Sequence, residues 1–331
     1  MKCLIISVGG KNTSLGAHKL AAYLRRLNHV VDHVGSMPLK VADYDLFCFS
    51  VVFSWHLPET VRLIRFAKLF GEVWVGGPAV TFHPDNARYI ESQTGIKPHI
   101  GLDDRFEREP GKYPMVYFSR GCPAYTPACG VCPVPRMEGN SFTFYPESQP
   151  ATLLLDNNLS ALPVDYQEHI IAAYQGFPRK VDAQSGFEPH TFTEETLHRW
   201  ERFPLLCWRF GYDDLTERNE CLTMLGLLNA NGYRDEKVRI YTLIGNEPIQ
   251  DCYQRVREVI GDVKDPEAHP KPQRLRPLNW LGPDGTLPCR FDWDEPTLIA
   301  FQRFYSLGAF WKRMKPSEFY YQGRYPLAML N

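Results

Sequence analysis

Residues 2–27 read KCLIISVGGKNTSLGAHKLAAYLRRL, and this stretch decides the fold class. Residues 2 to 8 (KCLIISV) form an apolar run closed by Gly9 and Gly10, and residues 17 to 27 carry apolar side chains at helical spacing. The order is strand, turn, helix. It continues with strands at 29 to 34 (HVVDHV) and 45 to 53 (DLFCFSVVF), a helix from Pro58 to Leu69, and a strand at 72 to 75 before Gly76-Gly77-Pro78. Short apolar strands separated by helices imply an α/β fold with a doubly wound parallel sheet, a Rossmann-like first domain over roughly 1–108. Gly9-Gly10 completes neither dinucleotide-binding nor phosphate-loop spacing, so a tight turn at a strand end explains it better.

Residues 102 to 113 (LDDRFEREPGKY) are charged, carry a Pro-Gly turn and read as a linker. A second alternation follows: strand 115–119 (MVYFS), a cysteine-bearing loop, strand 152–156 (TLLLD), a helix around 165 to 175, strand 180–184 (KVDAQ) and a helix around 193 to 202. Strand 205–211 (LLCWRFG), a helix near 217 to 231, strand 238–245 (VRIYTLIG) and a helix from Ile249 to Ile260 complete it. Repeated strand-helix units suggest a parallel barrel, with too few units for eight. The second domain is therefore read as a partial (β/α)6 barrel over 113–280, and 281–331 as an aromatic-rich extension with a helix at 296 to 311 covering the barrel's open side or a substrate.

Composition narrows the partners. The 331 residues are 44% hydrophobic, 13% aromatic and 23% charged, which excludes disordered, collagenous and low-complexity classes. Lys and Arg total 37 against 38 Asp and Glu, a formal charge of -1, so no global field draws the chain to nucleic acid or anionic lipid. The opening MKCLIISVGGKN is too short an apolar run for a signal peptide or a membrane span, and the expected location is cytoplasmic. Nine cysteines, an odd number in a chain large enough to need no staples, argue against a disulfide framework.

Six of the nine are isolated and read as small buried hydrophobes. The other three, Cys122, Cys129 and Cys132, share one loop in FSRGCPAYTPACGVCPVPRMEGN, residues 118 to 140. Thiolates are soft ligands for zinc or iron-sulfur clusters. Structural zinc wants four closed ligands, and the neighbourhood offers no fourth cysteine and no histidine before His169, so a cluster with one open iron fits better. A zinc knuckle completed by a distant residue, and three unrelated buried cysteines, are the alternatives.

With its flanks, this loop resembles the radical S-adenosylmethionine superfamily. The family spacing is CxxxCxxC; here the first gap holds six residues, with Pro123 and Pro127 in the insertion. Ser119-Arg120-Gly121-Cys122 before the cluster and Cys132-Pro133-Val134-Pro135-Arg136-Met137-Glu138-Gly139 after it are similar to the surroundings in cobalamin-domain-type radical enzymes and methylthiotransferase-like relatives. The resemblance implies that the three cysteines hold a 4Fe-4S cluster whose open iron chelates S-adenosylmethionine. Reductive cleavage then yields a 5'-deoxyadenosyl radical that abstracts hydrogen from a substrate, with electrons from a reductase or flavodoxin-type donor. It further implies cofactor-binding roles for Asp156, Asn157 and Asn158 (the methionine amino group), Gln184 and Ser185 after the third strand, Arg209 (carboxylate or ribose) and Gly245, where the backbone lies along adenine. Each also has a plain reading: Asp156 and Asn157 cap a helix, Arg209 pairs with Asp213, Gly245 turns the chain. Glu138, Glu247, Tyr241 and Cys207 are unranked candidates for acting after hydrogen abstraction.

Relatives of this layout often carry a cobalamin-binding first domain marked by DxHxxG. That motif is missing, and Asp32-His33-Val34-Gly35 has the wrong spacing, so a degenerate domain without cobalamin is expected, binding without a His ligand staying open. The tail WKRMKPSEFYYQGRYP (311–326) and KPQRLRP (271–277) set basic groups beside aromatic rings, which suits DNA or a nucleotide, although packing on the barrel is the commoner use. The pattern also resembles bacteriophage radical enzymes of hypermodified-base pathways, so isomerisation or rearrangement of a base substituent is the expected chemistry. Two other functions compete: a cobalamin-dependent radical methyltransferase and a zinc-stabilised nucleic-acid-binding module.

Overall fold

The computed structural model describes residues 1–9, 14–109, 114–123, 132–281, 289–306 and 309–330. The first region runs β1 (Lys2–Val8), α1 (Leu15–Arg26), β2 (Val30–Val34), β3 (Leu46–Val51), α2 (Leu57–Ala67), β4 (Glu72–Gly76), α3 (Pro78–Phe82) and α4 (Pro84–Thr94). Its strands pair in parallel in the order β2-β1-β3-β4. The chain moves one way from β1 to β2 and the other way to β3, which makes the β1/β3 boundary a topological switch point, where open α/β sheets bind ligands.

Both faces are covered. Leu4, Ile6, Phe47 and Phe49 pack with Val61 and Ile64 of α2, while Cys3, Ile5, Leu46 and Cys48 pack with Ala17, Ala21 and Leu24 of α1. Gly9 ends β1 at φ +73°, and a Cβ there would collide with the His56 ring, so the turn reading of this glycine holds. Gly10 lies outside the described residues.

The second region continues with β5 (Met115–Val116), β6 (Ser119–Arg120), α5 (Val134–Glu138), β7 (Thr143–Phe144), β8 (Leu153–Leu154), α6 (Val164–Ala173), β9 (Asp182–Ala183), α7 (Glu194–Trp200) and β10 (Trp208–Gly211). After it come α8 (Arg218–Ala230), β11 (Val238–Ile244), α9 (Ile249–Ile260), a small hairpin of β12 (Gly261–Asp262) and β13 (Asp265–Pro266), then β14 (His269–Arg274) and α10 (Glu295–Tyr305). Parallel pairing joins β5-β8-β9 and β10-β11-β14, and the bridges Val181–Leu205 and Phe187–Phe210 join the two groups. The chain is thus mixed α/β with parallel sheets.

Sequence reading misses β14, because HPKPQR looks unlike a strand. Pro270 and Pro272 lie two residues apart, so both missing N–H groups fall on one side, while Leu275 on the opposite parity donates its N–H to Ile244. The β11 side of the strand keeps its donors, and the open edge carries the prolines. Along β11, Val238, Ile240, Thr242 and Ile244 are buried while Arg239, Tyr241 and Leu243 are half-buried. One face of the strand is closed and the other is polar.

The expected helix at 296 to 311 ends earlier, at Tyr305, and it packs through Leu298, Phe301 and Phe304 onto Ile244, Ile249 and Val256. The segment after β14 returns to the first region: Ser54 Oγ donates to the Trp280 carbonyl at 2.6 Å and Asn86 Nδ2 to that of Leu278 at 2.8 Å. Among the described residues no helix is long and apolar enough to cross a membrane.

Candidate functional site

The cysteine loop leaves the second region directly after β6. Cys122 is half-buried and Cys132 exposed at its two described ends; Cys129 lies outside the described residues. Five other cysteines differ sharply. Cys3, Cys48, Cys207, Cys221 and Cys252 are buried, and burial pushes each thiol above its ordinary range, Cys252 to about 11. Thiols held neutral in apolar surroundings are poor ligands and poor nucleophiles. Cys289, also expected to be buried, is instead exposed, so among the described residues the accessible cysteines are Cys122, Cys132 and Cys289; the donor chemistry of the clustered ones suits an iron-sulfur group.

The neck of the loop is tightly built. Gly121 sits at φ +89°, and a Cβ there would lie 2.1 Å from the Ser141 carbonyl oxygen, so glycine is required immediately before Cys122. Cys122 N–H donates to the Gly139 carbonyl at 3.3 Å. The Glu138 carboxylate accepts from Gly121 N–H at 2.9 Å and from Asn157 Nδ2 at 2.7 Å, and pairs with Arg120 Nη2 at 2.9 Å. The Arg120 guanidinium lies over the Tyr117 ring, 4.0 Å from its centroid. Glu138, left unranked among proton-transfer candidates, is thus engaged by the chain itself.

Asp156 lies two residues beyond β8 and turns its carboxylate into the protein. It accepts from Phe118 N–H at 3.0 Å, from Ser119 N–H at 2.6 Å and from Ser119 Oγ at 2.6 Å. Burial raises it to about 6 despite those donors. It caps no helix; it fastens the end of β8 to β6. Asn158 Oδ1 accepts from Ala161 N–H at 3.1 Å and from Ser160 Oγ at 3.2 Å, which shapes the following turn. Asn157 faces the loop through Glu138 and, at 3.3 Å, the Gly121 carbonyl.

Further round the series, Gln184 and Ser185 are exposed after β9, on a turn completed by Gly186 at φ +72°. Arg209 lies inside β10, not at its carboxyl end, and pairs bidentately with Asp182 at 2.6 and 2.8 Å while also donating to the Tyr241 hydroxyl. The alternative partner Asp213 instead accepts from Leu243 N–H at 2.9 Å. Gly245 follows β11 at φ +87° with Leu298 of α10 against it. Part of the tail is engaged: Trp311 and Phe319 are in the core, Lys312 binds both Asp235 oxygens at 2.7 Å, and Arg324 pairs with Asp294, while Tyr320 and Tyr325 are exposed. That ammonium also neutralises a cluster of Asp235, Glu236 and His269 whose ligand atoms lie within 4.8 Å of one another.

Between the two regions lies a cavity of about 960 Å³, at the upper end of small-molecule sites. Gly9, Ser50 and Gly77 line it on one side, at the carboxyl ends of β1, β3 and β4, and Tyr117, Arg120 and Glu138 on the other. It therefore occupies the switch point of the first sheet and abuts the neck of the cysteine loop. Inside it Lys19 pairs with Glu107 at 3.0 Å and Arg105 with Asp103 at 2.6 Å. Of its lining residues, Phe53 stacks on Trp55 at 4.4 Å, and the Arg276 guanidinium lies 4.4 Å from the Trp55 centroid. Sequence reading missed this assembly because its parts come from short separate stretches between residues 9 and 155; only Arg120 and Glu138, in the flanks of the cysteine loop, signalled it.

No protein-family profile matches the chain, and no curated protein matches its sequence. Among solved structures, the fold is similar to that of the radical S-adenosylmethionine methyltransferase TsrM from Kitasatospora setae, a structure with cobalamin and a 4Fe-4S cluster bound. The TM-score is 0.51 at 10% sequence identity, over 77% of this chain and 72% of that one. At such identity the likeness is one of fold.

Proposed function

We propose that the chain is a radical S-adenosylmethionine enzyme. In this reading Cys122, Cys129 and Cys132 hold a 4Fe-4S cluster in a partial (β/α)6 barrel (113–280) closed by the 281–331 extension, behind a cobalamin-binding-like first domain (1–108). The observation that carries it is the pair of accessible cysteines, Cys122 and Cys132, beside a clasped neck whose Arg120 and Glu138 line the large cavity. When bound, the cluster supplies the electron that cleaves S-adenosylmethionine, so that hydrogen can be taken from a substrate. The chain's own work is to hold and orient. Gln184 and Ser185, exposed at a strand end, are offered to the methionine portion, and Gly245 presents a backbone edge to adenine. Asn157 and Asp156 fix the loop against β6 and β8, and Arg209 braces Tyr241 and Asp182 within the sheet.

A second reading adds cobalamin, making the enzyme a methyltransferase. The expectation that the first domain does without it draws no support from the structural neighbour, which has it bound, and the cavity here lies at the switch point of the first sheet. No DxHxxG His is at hand; His33 bonds Ser7 Oγ at 2.8 Å, and burial lowers it to about 4. A substrate with a planar ring, such as a base or nucleotide, finds its support in Phe53, which lines the cavity, with Trp55 stacked on it and Arg276 over Trp55; in the tail Trp311, Phe319, Lys312 and Arg324 are already engaged.

Anaerobic reconstitution followed by reduction with dithionite and S-adenosylmethionine tests the reading. Methionine and 5'-deoxyadenosine are expected from the wild type and neither from Cys122→Ala or Cys132→Ala. A colourless, zinc-replete wild type would reject it. A corrin absorption band with stoichiometric cobalt would select the second reading.

A further inference from the structure

Glu138 makes three contacts that no ordinary surface carboxylate needs. Its side chain is 2% exposed; two of its partners, Arg120 and Gly121, precede the cysteine loop, and the third, Asn157, follows β8. One oxygen takes Gly121 N–H, the residue before Cys122, together with the Asn157 amide; the other takes the Arg120 guanidinium. Glu138 itself closes α5, which follows Cys132, so one carboxylate ties the entry of the loop to its exit and both to the end of β8. Backbone contact between Cys122 and Gly139 repeats the tie beside it. Charge-assisted bonds of this kind are shorter and stronger than neutral ones, and an interior carboxylate with both oxygens accepting holds one geometry.

Resting on the radical-enzyme reading, we propose that Glu138 is the positioning residue of the cluster loop: its carboxylate clasps the neck that sets Cys122, and its negative charge beside the loop lowers the electron affinity of the cluster. The two effects separate by substitution. Glu138→Gln keeps the size but removes the charge and leaves one of its donors facing an NH2 group; Glu138→Asp keeps the charge on a shorter arm.

The wild type, both variants and Glu91→Gln on exposed α4 are reconstituted anaerobically, with far-UV circular dichroism confirming the fold. Three quantities are read: iron and sulfide per chain, the rate of iron loss to a chelator, and the midpoint potential followed by electron paramagnetic resonance. Glu138→Gln is expected to lose iron about tenfold faster with a more positive potential. Glu138→Asp loses iron faster too but holds a potential near that of the wild type, and Glu91→Gln changes neither. Unaltered iron loss and potential in both Glu138 variants would overturn the proposal, as would a potential shift of equal size in Glu91→Gln. If Glu138→Gln fails to fold, Glu138→Asp alone decides through iron loss. If the wild type takes up no cluster, the radical-enzyme reading fails, and alkylation of Cys122 in the metal-free chain decides the clasp: faster modification in Glu138→Gln supports it, equal rates overturn it.

Discussion

The first sheet and the second strand series solve the same problem differently. In the first, strands of five to seven residues are paired along their lengths and the central pair, β1 and β3, is buried on both faces, so main-chain ladders and apolar packing suffice. In the second, β5, β6, β8 and β9 have two residues each, and carboxylates hold what short ladders cannot: Asp156 ties β8 to β6, Asp182 ties β9 to β10, Glu138 ties the loop to itself. The region built on polar ties is also the one with the cysteine loop. Open strand ends leave backbone and side chains available to a ligand, and the ties replace the order that longer strands would provide.

Truncation should expose the difference most strongly. Phe47→Ala, at a fully buried site of the first sheet, should cost about 3–5 kcal/mol in urea unfolding and leave the neck of the cysteine loop intact. Asp156→Ala should cost about 2–4 kcal/mol, since it strands two buried N–H groups and a hydroxyl. Its loss of hydrogen-exchange protection should be confined to 115–120 and 153–156. Protection lost equally in β1 to β4 would show that the two regions unfold as one and would break the contrast.

A smaller effect is a difference in pH response. His33 is lowered from 6.5 to about 4 by burial, so the unfolded chain takes the proton first and the first sheet loses stability as pH falls from about 6.5 to about 4. Burial raises Asp156 and Asp213 from 3.8 to about 6, and Glu188 from 4.5 to about 7. There the folded chain binds protons more tightly, so the second region loses stability as pH rises from about 4 through about 7. Protection free energies measured by hydrogen exchange at pH 5 and pH 7 should therefore move in opposite directions in β1 and β8. A common direction would contradict this assignment of the buried groups.

How much was legible follows the same division. KCLIISV and DLFCFSVVF declare themselves as strands because both faces are apolar, and the alternation with helices then fixes a parallel sheet. HPKPQR conceals β14, since its register is set by a neighbour and not by its own pattern. The cysteine loop was visible from residue type and spacing. The roles of Glu138 and Asp156 were not, because a carboxylate's partners are chosen by tertiary structure: Asp156 looks like a helix cap in sequence and is an internal strut in space. The tail's basic and aromatic residues resemble a nucleic-acid surface until Asp235 and Asp294 are brought against them.

The central claim is that Cys122, Cys129 and Cys132 share one iron-sulfur cluster with an open iron. Electron paramagnetic resonance of the anaerobically reconstituted, reduced chain tests it most directly. The account predicts the signal of a reduced 4Fe-4S cluster, with g-values displaced when S-adenosylmethionine is added and lost on replacing any one of the three cysteines by alanine. A silent spectrum from a chain holding one zinc ion, or a signal indifferent to S-adenosylmethionine, would contradict it.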